Sequence, residues 1–469
     1  MYLFLDGYKS FLLICAPLGR FKDNAYVTGL KEDLGFHGNE LVHCQTIFTV
    51  GSVIGQLPFA YFFAKVPMNW LIPSVELGWG VFTLLQYRVK SYAELMAYRF
   101  FVGLFEAPYF PGVHFVLGSW YRGDEYGRRG GFFYIGLTLG TLTASLIQAG
   151  TSARLDGVHG LAGWRWMYII NAVITIPLAI AGLLIWPGTP DKPNRLVLTP
   201  GDIALAKARL WRNGHATPQR FSWTTVRRTF TNWRFYLFTW WGIVFWNSTN
   251  APSAGTWLLW LKSLDRYSAT RLNSLGALSP GLGIFYVLFI CFSSDLYLGR
   301  AWAITLAQTL NAVSVIILTV WDVPENAKWF AYALTFTCVA NSSVLYGWIN
   351  DVLKHDAAER AFIFTLANAI AQSTTAWTLI LTFKTVEAPR FQKGFPFVLS
   401  MALLTIITAW VVKYLHQRQE AQYAAAGRLA QDQREAQEII EEHQNVTIDP
   451  ATAGQKELRV KTQDRELGP

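Results

Sequence analysis

Residues 166–190 read WMYIINAVITIPLAIAGLLIWPGTP, 25 residues without Asp, Glu, Lys or Arg. A helix rises about 1.5 Å per residue, so about 20 residues cross a hydrocarbon core roughly 30 Å thick. The run is long enough to do so. Directly after it, residues 191–234 carry nine basic side chains against two acids, Asp191 and Asp202. An apolar crossing followed by a basic loop is a membrane pattern, with the loop on the cytoplasmic side.

Ten further runs have the same character. Residues 41–64, 130–153, 235–261, 272–294, 301–321, 329–350, 361–383 and 394–412 lack all four charged types. Residues 66–87 contain only Glu76, and 95–121 only Arg99 and Glu106. Their prolines, among them Pro58, Pro108, Pro177 and Pro280, are compatible with membrane helices. One such run could be a soluble core helix; eleven in series could not. Composition agrees. The 469 residues are 52% apolar and 15% charged, where soluble proteins carry about 25%. The 20 Trp, 20 Tyr and 32 Phe suit membrane interfaces. A β-barrel would alternate apolar and polar residues, which these runs do not. Disorder needs low hydrophobicity and is excluded for most of the chain. Cys15, Cys44, Cys291 and Cys338 make no disulfide framework.

Counting crossings from the basic loop puts Arg122, Arg128, Arg129 and the tail after Val412 on the cytoplasmic side, and residues 19–40 outside. A cytoplasmic start then needs one more crossing within residues 1–19. That stretch contains Asp6 and Lys9. It makes a poor lipid-facing helix and a poor signal peptide. A charged helix buried in a bundle, a truncated chain and an incorrect start all stay open. With it, the plan is six spans, a basic loop and six spans. Two six-helix halves of that kind meet at a midplane substrate site. The expected domains are 1–190, an N-terminal membrane half with its first helix incomplete; 191–234, the basic cytoplasmic loop; 235–415, the C-terminal half; and 416–469, a cytoplasmic tail in which 424–442 can be helical. The net charge of +9, of which the loop supplies +7, reads as a topology signal. Nucleic-acid binding loses its motivation.

Polar residues inside the spans are the candidate site. Arg99 and Glu106 are seven apart, nearly two turns, and share a helix face. Charges at membrane depth face a bundle interior or a water cavity. Either an anion and proton site or a structural ion pair fits them. His114 and Glu76 are further proton-coupling candidates, with packing as the plainer alternative. Asn247-Ser-Thr-Asn250-Ala-Pro252 is a polar, proline-broken run that predicts Asn247 and Asn250 on a pathway or bonded between helices. Asn341, Tyr346, Gln148 and the pair Asn368 and Gln372, four apart on one face, complete a polar cavity for a small carboxylate. Trp240, Trp241, Trp246, Trp257 and Trp260 read as interface anchors. The eight histidines show no metal spacing, and neither a phosphate loop nor a nucleophile elbow is present, so an enzyme is not expected.

Several segments resemble one family. Arg99-Phe-Phe-Val-Gly103-Leu-Phe-Glu106 with Phe110-Pro111-Gly112 is similar to the fourth-helix pattern of the anion:cation symporter branch (allantoate permease family) of the major facilitator superfamily. Asn24-Ala-Tyr-Val-Thr-Gly29 with Lys31-Glu32-Asp33-Leu34, Ser119-Trp120-Tyr121 and Gly127-Arg128-Arg129 resemble its loops. Trp260-Leu-Lys-Ser-Leu264, Arg266-Tyr267-Ser268 and Leu278-Ser-Pro-Gly-Leu-Gly283 look most like the fungal pantothenate-transporter group. Nothing before Asn24 matches that family's first helix, and Lys65-Val-Pro-Met-Asn69 departs from its loop signature. Ser294-Asp295-Leu-Tyr-Leu-Gly299-Arg300 keeps the equivalent signature of the second half, in which Asp295 and Arg300 can pair across a gate, with Arg128 and Arg129 on the facing loop.

The resemblance implies an all-α, 6+6 membrane protein in the plasma membrane. It implies a monomeric secondary transporter of a small organic anion or vitamin (pantothenate-like or allantoate-like), driven by proton symport and needing no cofactor. Residues 1–19 motivate the competing expectation of an inactive or receptor-like paralogue, or a truncated gene product.

Overall fold

The computed structural model describes residues 25–121, 123–211, 223–353 and 357–447. The doubtful first helix, residues 1–19, therefore lies outside the described residues. Each of the eleven apolar runs is helical. In the first half these are α1 (Glu40–Lys65), α2 (Met68–Leu85), α3 (Tyr92–Glu106), α4 (Tyr109–Trp120), α5 (Gly123–Arg154) and α6 (Gly163–Ile185). The basic segment holds α7 (Pro200–Trp211) and α8 (Trp223–Thr231). The second half contains α9 (Trp233–Ser248), α10 (Thr256–Ser263), α11 (Ala269–Gly276), α12 (Leu278–Ser293) and α13 (Gly299–Val320). It continues with α14 (Glu325–Leu334), α15 (Thr337–Val352), α16 (Ala357–Thr382) and α17 (Gly394–Thr447). Among the described residues, one compact unit ends at Ala409 and a second begins at Trp410.

Local chemistry sets the breaks. Ser91 caps α3 by accepting from the Glu94 amide, while the Glu94 carboxylate accepts from the Lys90 amide at 2.9 Å. This reciprocal arrangement satisfies amides that a helix start leaves open. Pro108, which has no N–H and crowds the preceding turn, separates α3 from α4. The crossing beginning at residue 235 is interrupted where its polar run was expected to break it. α9 stops at Ser248, a single turn covers Asn250–Ser253, and Gly255 takes φ +66° before α10 starts. That backbone conformation is strained for any side chain with a Cβ. Among the described residues, four stretches are by themselves long and apolar enough to cross a membrane: Tyr92–Leu117, Gly163–Ile185, Ala269–Val320 and Gly394–Gln422. The third turns back on itself through the π turn Ser294–Leu298 and Gly299 at φ +69°.

Packing pairs α1 with α3 and α2 with α6 in the first half, and α9 with α16 and α13 with α15 in the second. Two seams join the halves: α1 lies against α16, and α5 lies against α11, α12 and α15. Beyond α6, Asn194 donates to the carbonyls of Leu184 and Trp186 at 2.8 and 2.9 Å, and the Trp120 indole donates to Gly188 O at 2.8 Å. The start of the basic segment is thereby pinned to the bundle. At the opposite end a buried apolar cluster takes Tyr26, Val27 and Leu30 from before α1, Trp164 from α6, Trp257 and Trp260 from α10 and Phe383 after α16. It closes that end across both halves.

Candidate functional site

At the seam between α1 and α16 the interior becomes polar. Asn368 and Gln372 lie one turn apart on α16, as their spacing predicts. Gln56 on α1 reaches both: its amide nitrogen donates to Gln372 Oε1, and its oxygen accepts from Asn368 Nδ2 at 3.3 Å. Asn368 Oδ1 accepts from the Tyr346 hydroxyl at 2.8 Å and from the Trp246 indole at 3.1 Å. Trp246 also donates to the Tyr346 hydroxyl at 2.9 Å. Gln56, Tyr346 and Asn368 are all under 5% exposed. The rings of Phe110, Phe245 and Phe364 surround Tyr346, with centroids 5.6, 6.2 and 5.0 Å away. Five polar groups from four helices thus form one apolar-walled cluster that crosses between the halves. Burying them together satisfies groups that would each cost about 1–3 kcal/mol if left unpaired.

A second network lies beside it within the C-terminal half. Asn247 Nδ2 donates to Thr374 Oγ1 at 2.7 Å, and Asn247 Oδ1 accepts from Thr378 at 2.6 Å and Asn250 at 3.2 Å. Asn247 and Asn250 are therefore turned toward α16. Gln308 and Asn311 of α13, three apart, bond each other and Ser248. Asn341 on α15 is fully buried, and neither end of its amide has a partner among the described residues. Buried polar groups are rarely left so.

In the first half, Arg99 is 2% exposed with its guanidinium 5.3 Å over the Phe48 ring. Glu106 is half-buried as the last residue of α3, next to the break at Pro108. Glu76 is buried in α2. Gln148 is buried in α5 and donates to Ser152 at 2.9 Å. His114 lies on α4 and Arg128 and Arg129 on α5, but their side chains lie outside the described residues. Close packing of α1 on α3 places the Arg99 region. A Cβ on Gly51 would come within 2.3 Å of Phe100 O, and one on Gly55 within 2.6 Å of Leu104 O. Small residues permit such approach between membrane helices.

Charge pairs mark the two ends. At the end bearing the basic segment, Arg300 pairs with Asp351 of α15, while Asp295 is exposed on the π turn. Arg300 thus takes its partner from α15, not from the turn before it. Arg234 lies 3.7 Å from Glu359, which also accepts from Asn232 at 2.8 Å. At the other end the Trp164 indole donates to Asp33 at 2.9 Å, and Arg165 donates to the carbonyls of Tyr87 and Val89 at 2.8 and 2.9 Å.

Sequence reading did not single out Gln56, Gln308, Asn311, Thr374 or Thr378. The signal available was an amide in a charge-free run, and the three-residue spacing of Gln308 and Asn311. Trp246 corrects an expectation. It is no interface anchor but an interior donor, because its N–H faces Tyr346 and Asn368. Trp241, Trp257 and Trp260 are buried as well, and only Trp240 of that set is exposed.

The sequence model of the Major Facilitator Superfamily matches residues 10–379. The "Vitamin H transporter" of Saccharomyces cerevisiae is 38% identical over 430 residues, covering 89% of this chain and 72% of that protein. The "Pantothenate transporter liz1" of Schizosaccharomyces pombe is 30% identical over 91% of this chain and 82% of its own length. Among solved structures, the proton:xylose symporter XylE superposes with a TM-score of 0.66 at 13% identity, covering 86% of this chain and 96% of its own. A bacterial homologue of the lysosomal transporter Spinster gives 0.57 at 13% identity over 88% and 97%. Those two likenesses speak for the fold, and the relatives for the family. The chain therefore belongs to the major facilitator superfamily, as a multi-pass membrane transporter and not an enzyme.

Proposed function

We propose that the chain carries a small organic anion, a vitamin carboxylate of the biotin or pantothenate kind, together with a proton. The observation that carries this reading is the buried polar cluster of Gln56, Trp246, Tyr346, Asn368 and Gln372. It is neutral, apolar-walled and shared between the two halves, which suits a carboxylate with further hydrogen-bonding groups. The relatives named for vitamin H and pantothenate transport support the substrate class. Alternating access follows from rocking of residues 1–190 against 235–415 about this seam. In this reading the basic segment and the C-terminus face the cytoplasm of a plasma-membrane monomer. The Arg300–Asp351 pair, with Arg128, Arg129 and Asp295, belongs to the cytoplasmic gate. Arg99 supplies positive potential near the pathway, and Glu106, with Glu76 and His114 as further candidates, carries the proton. Asn247, Asn250, Asn341 and Gln148 shape the cavity or its walls.

The test is uptake of labelled biotin, pantothenate and allantoate by cells lacking their own carriers, at two external pH values. Acid-stimulated uptake of one of them is expected, and Glu106→Gln should remove the stimulation. Unchanged pH dependence in that variant would take Glu106 out of the coupling. No uptake of any of the three would sink the reading.

A further inference from the structure

The hydrogen bonds of the central cluster run in one direction. An indole N–H can only donate. Trp246 therefore requires an acceptor, and it faces two, the Tyr346 hydroxyl at 2.9 Å and the Asn368 oxygen at 3.1 Å; the Tyr346 hydroxyl donates in turn to that same oxygen, so both donors point at Asn368 Oδ1. That leaves Asn368 Nδ2 facing Gln56, so Gln56 presents its oxygen there and its nitrogen to Gln372. Gln372 then presents its oxygen to Gln56, and its amide nitrogen is left over. Gln372 is half-buried, and that nitrogen has no hydrogen-bond partner among the described residues. The order is Trp246 to Asn368 to Gln56 to Gln372, with the Tyr346 hydroxyl donating into the same Asn368 oxygen.

We propose that Gln372 Nε2 is the group that recognises the substrate's carboxylate, and that the relay beginning at Trp246 makes it a stronger donor. Hydrogen bonds in a low-dielectric interior polarise one another along a chain. Each amide that accepts at its oxygen donates better at its nitrogen, and the last amide in the line has both N–H groups free. A carboxylate offers two oxygens and forms the stronger, charge-assisted bond. The site thereby binds an anion through neutral donors, and avoids burying a fixed cation that would need its own partner when the site is empty. Gln372 belongs to α16 and its relay partner Gln56 to α1, so the binding group is set by both halves and its environment changes when they move apart. This rests on the carboxylate reading given above and assigns the contact within it.

The experiment compares each imported acid with its neutral alcohol analogue, in which –CH2OH replaces the carboxylate, as competitors of labelled biotin or pantothenate uptake. The wild-type chain should prefer the acid by about tenfold or more, as expected for a charge-assisted bond. Gln372→Met keeps the approximate shape but removes the donors, together with the oxygen that accepts from Gln56, and should bring acid and alcohol to within about twofold, the acid losing far more potency than the alcohol. Trp246→Phe leaves α16 untouched and removes only the first donor, so it should give an intermediate preference. It carries the comparison alone if Gln372→Met does not reach the membrane. Variants that keep the full acid preference, or that weaken acid and alcohol equally, overturn the assignment while leaving the transporter reading standing. A wild-type chain that imports no acid overturns both.

Discussion

The ammonium of Lys262 lies 3.6 Å from the carboxylate of Glu32, and 5.4 Å from the centroid of the Tyr26 ring. Lys262 lies in the last turn of α10, and Glu32 precedes α1, so this contact joins the two halves at the end away from the basic segment. An exposed pair of this kind is worth only about 0–1 kcal/mol. Its use as a probe comes from position. If the halves rock, this end must separate in every cycle. Glu32→Cys with Lys262→Cys, joined by a bifunctional thiol reagent, is expected to stop uptake and to recover on reduction. Each single variant should transport with or without the reagent. Full transport by the cross-linked protein would argue against separation at this end.

Gly103 has no room for a methyl group. A Cβ there would sit 2.1 Å from the carbonyl oxygen of Phe48. Backbone cannot yield as a flexible side chain does, so Gly103→Ala must push α3 off α1. Overpacking of this sort costs about 1–3 kcal/mol. The melting temperature of the detergent-purified variant should fall clearly. Gly150→Ala, where nothing lies within 4 Å, should leave it within experimental scatter.

Asn247 holds three side-chain partners at once, Thr374, Thr378 and Asn250. Asn247→Ala removes these side-chain bonds together, while Thr374 and Thr378 keep their bonds to the carbonyls of Ala371 and Thr374, a net cost of about 1–3 kcal/mol. Thr378→Val in the same chain removes a hydroxyl whose bond to Asn247 is already lost. Its effect in that background should be smaller than in the wild type. Additive losses in thermal melts would show that the two residues are not coupled.

Outside the crossings, the Trp329 indole and the Arg266 guanidinium, in that order of weight, hold the Glu325 carboxyl below its ordinary value of 4.5. A carboxylate depressed in the folded state stabilises above the unfolded value and loses that contribution as pH falls through the folded one. Stability of the wild type should therefore fall more steeply than that of Glu325→Gln as pH drops below about 4.5. Parallel melting curves in the two proteins across that range would remove Glu325 from the acid response.

The crossings were legible because a bilayer imposes a long, charge-free requirement on each one, whatever its neighbours are. The break in the crossing that begins at residue 235 was legible too, since Asn247, Ser248, Thr249, Asn250 and Pro252 stand together in an otherwise apolar run. Asn368 and Gln372 could be placed on one face from spacing. Gln56 could not be recognised as their partner, because nothing local distinguishes an amide that reaches a helix more than 300 residues away from one that bonds its own neighbours. Trp246 was misjudged for the same reason: a tryptophan near other tryptophans fits an interface as well as an interior donor.

By itself the sequence determined that the chain is an all-helical membrane protein, with eleven long charge-poor runs and a basic segment between the fifth and the sixth. These depend on composition along one dimension, which the hydrophobic thickness of a bilayer reads directly. Only the tertiary structure decided which polar side chains meet at the seam, that Arg300 takes Asp351 as its partner, and that the hydrogen bonds run from Trp246 toward Gln372. Those relations are settled by distance and by the donor or acceptor nature of each facing atom, which exist only once α1, α9, α15 and α16 are packed together.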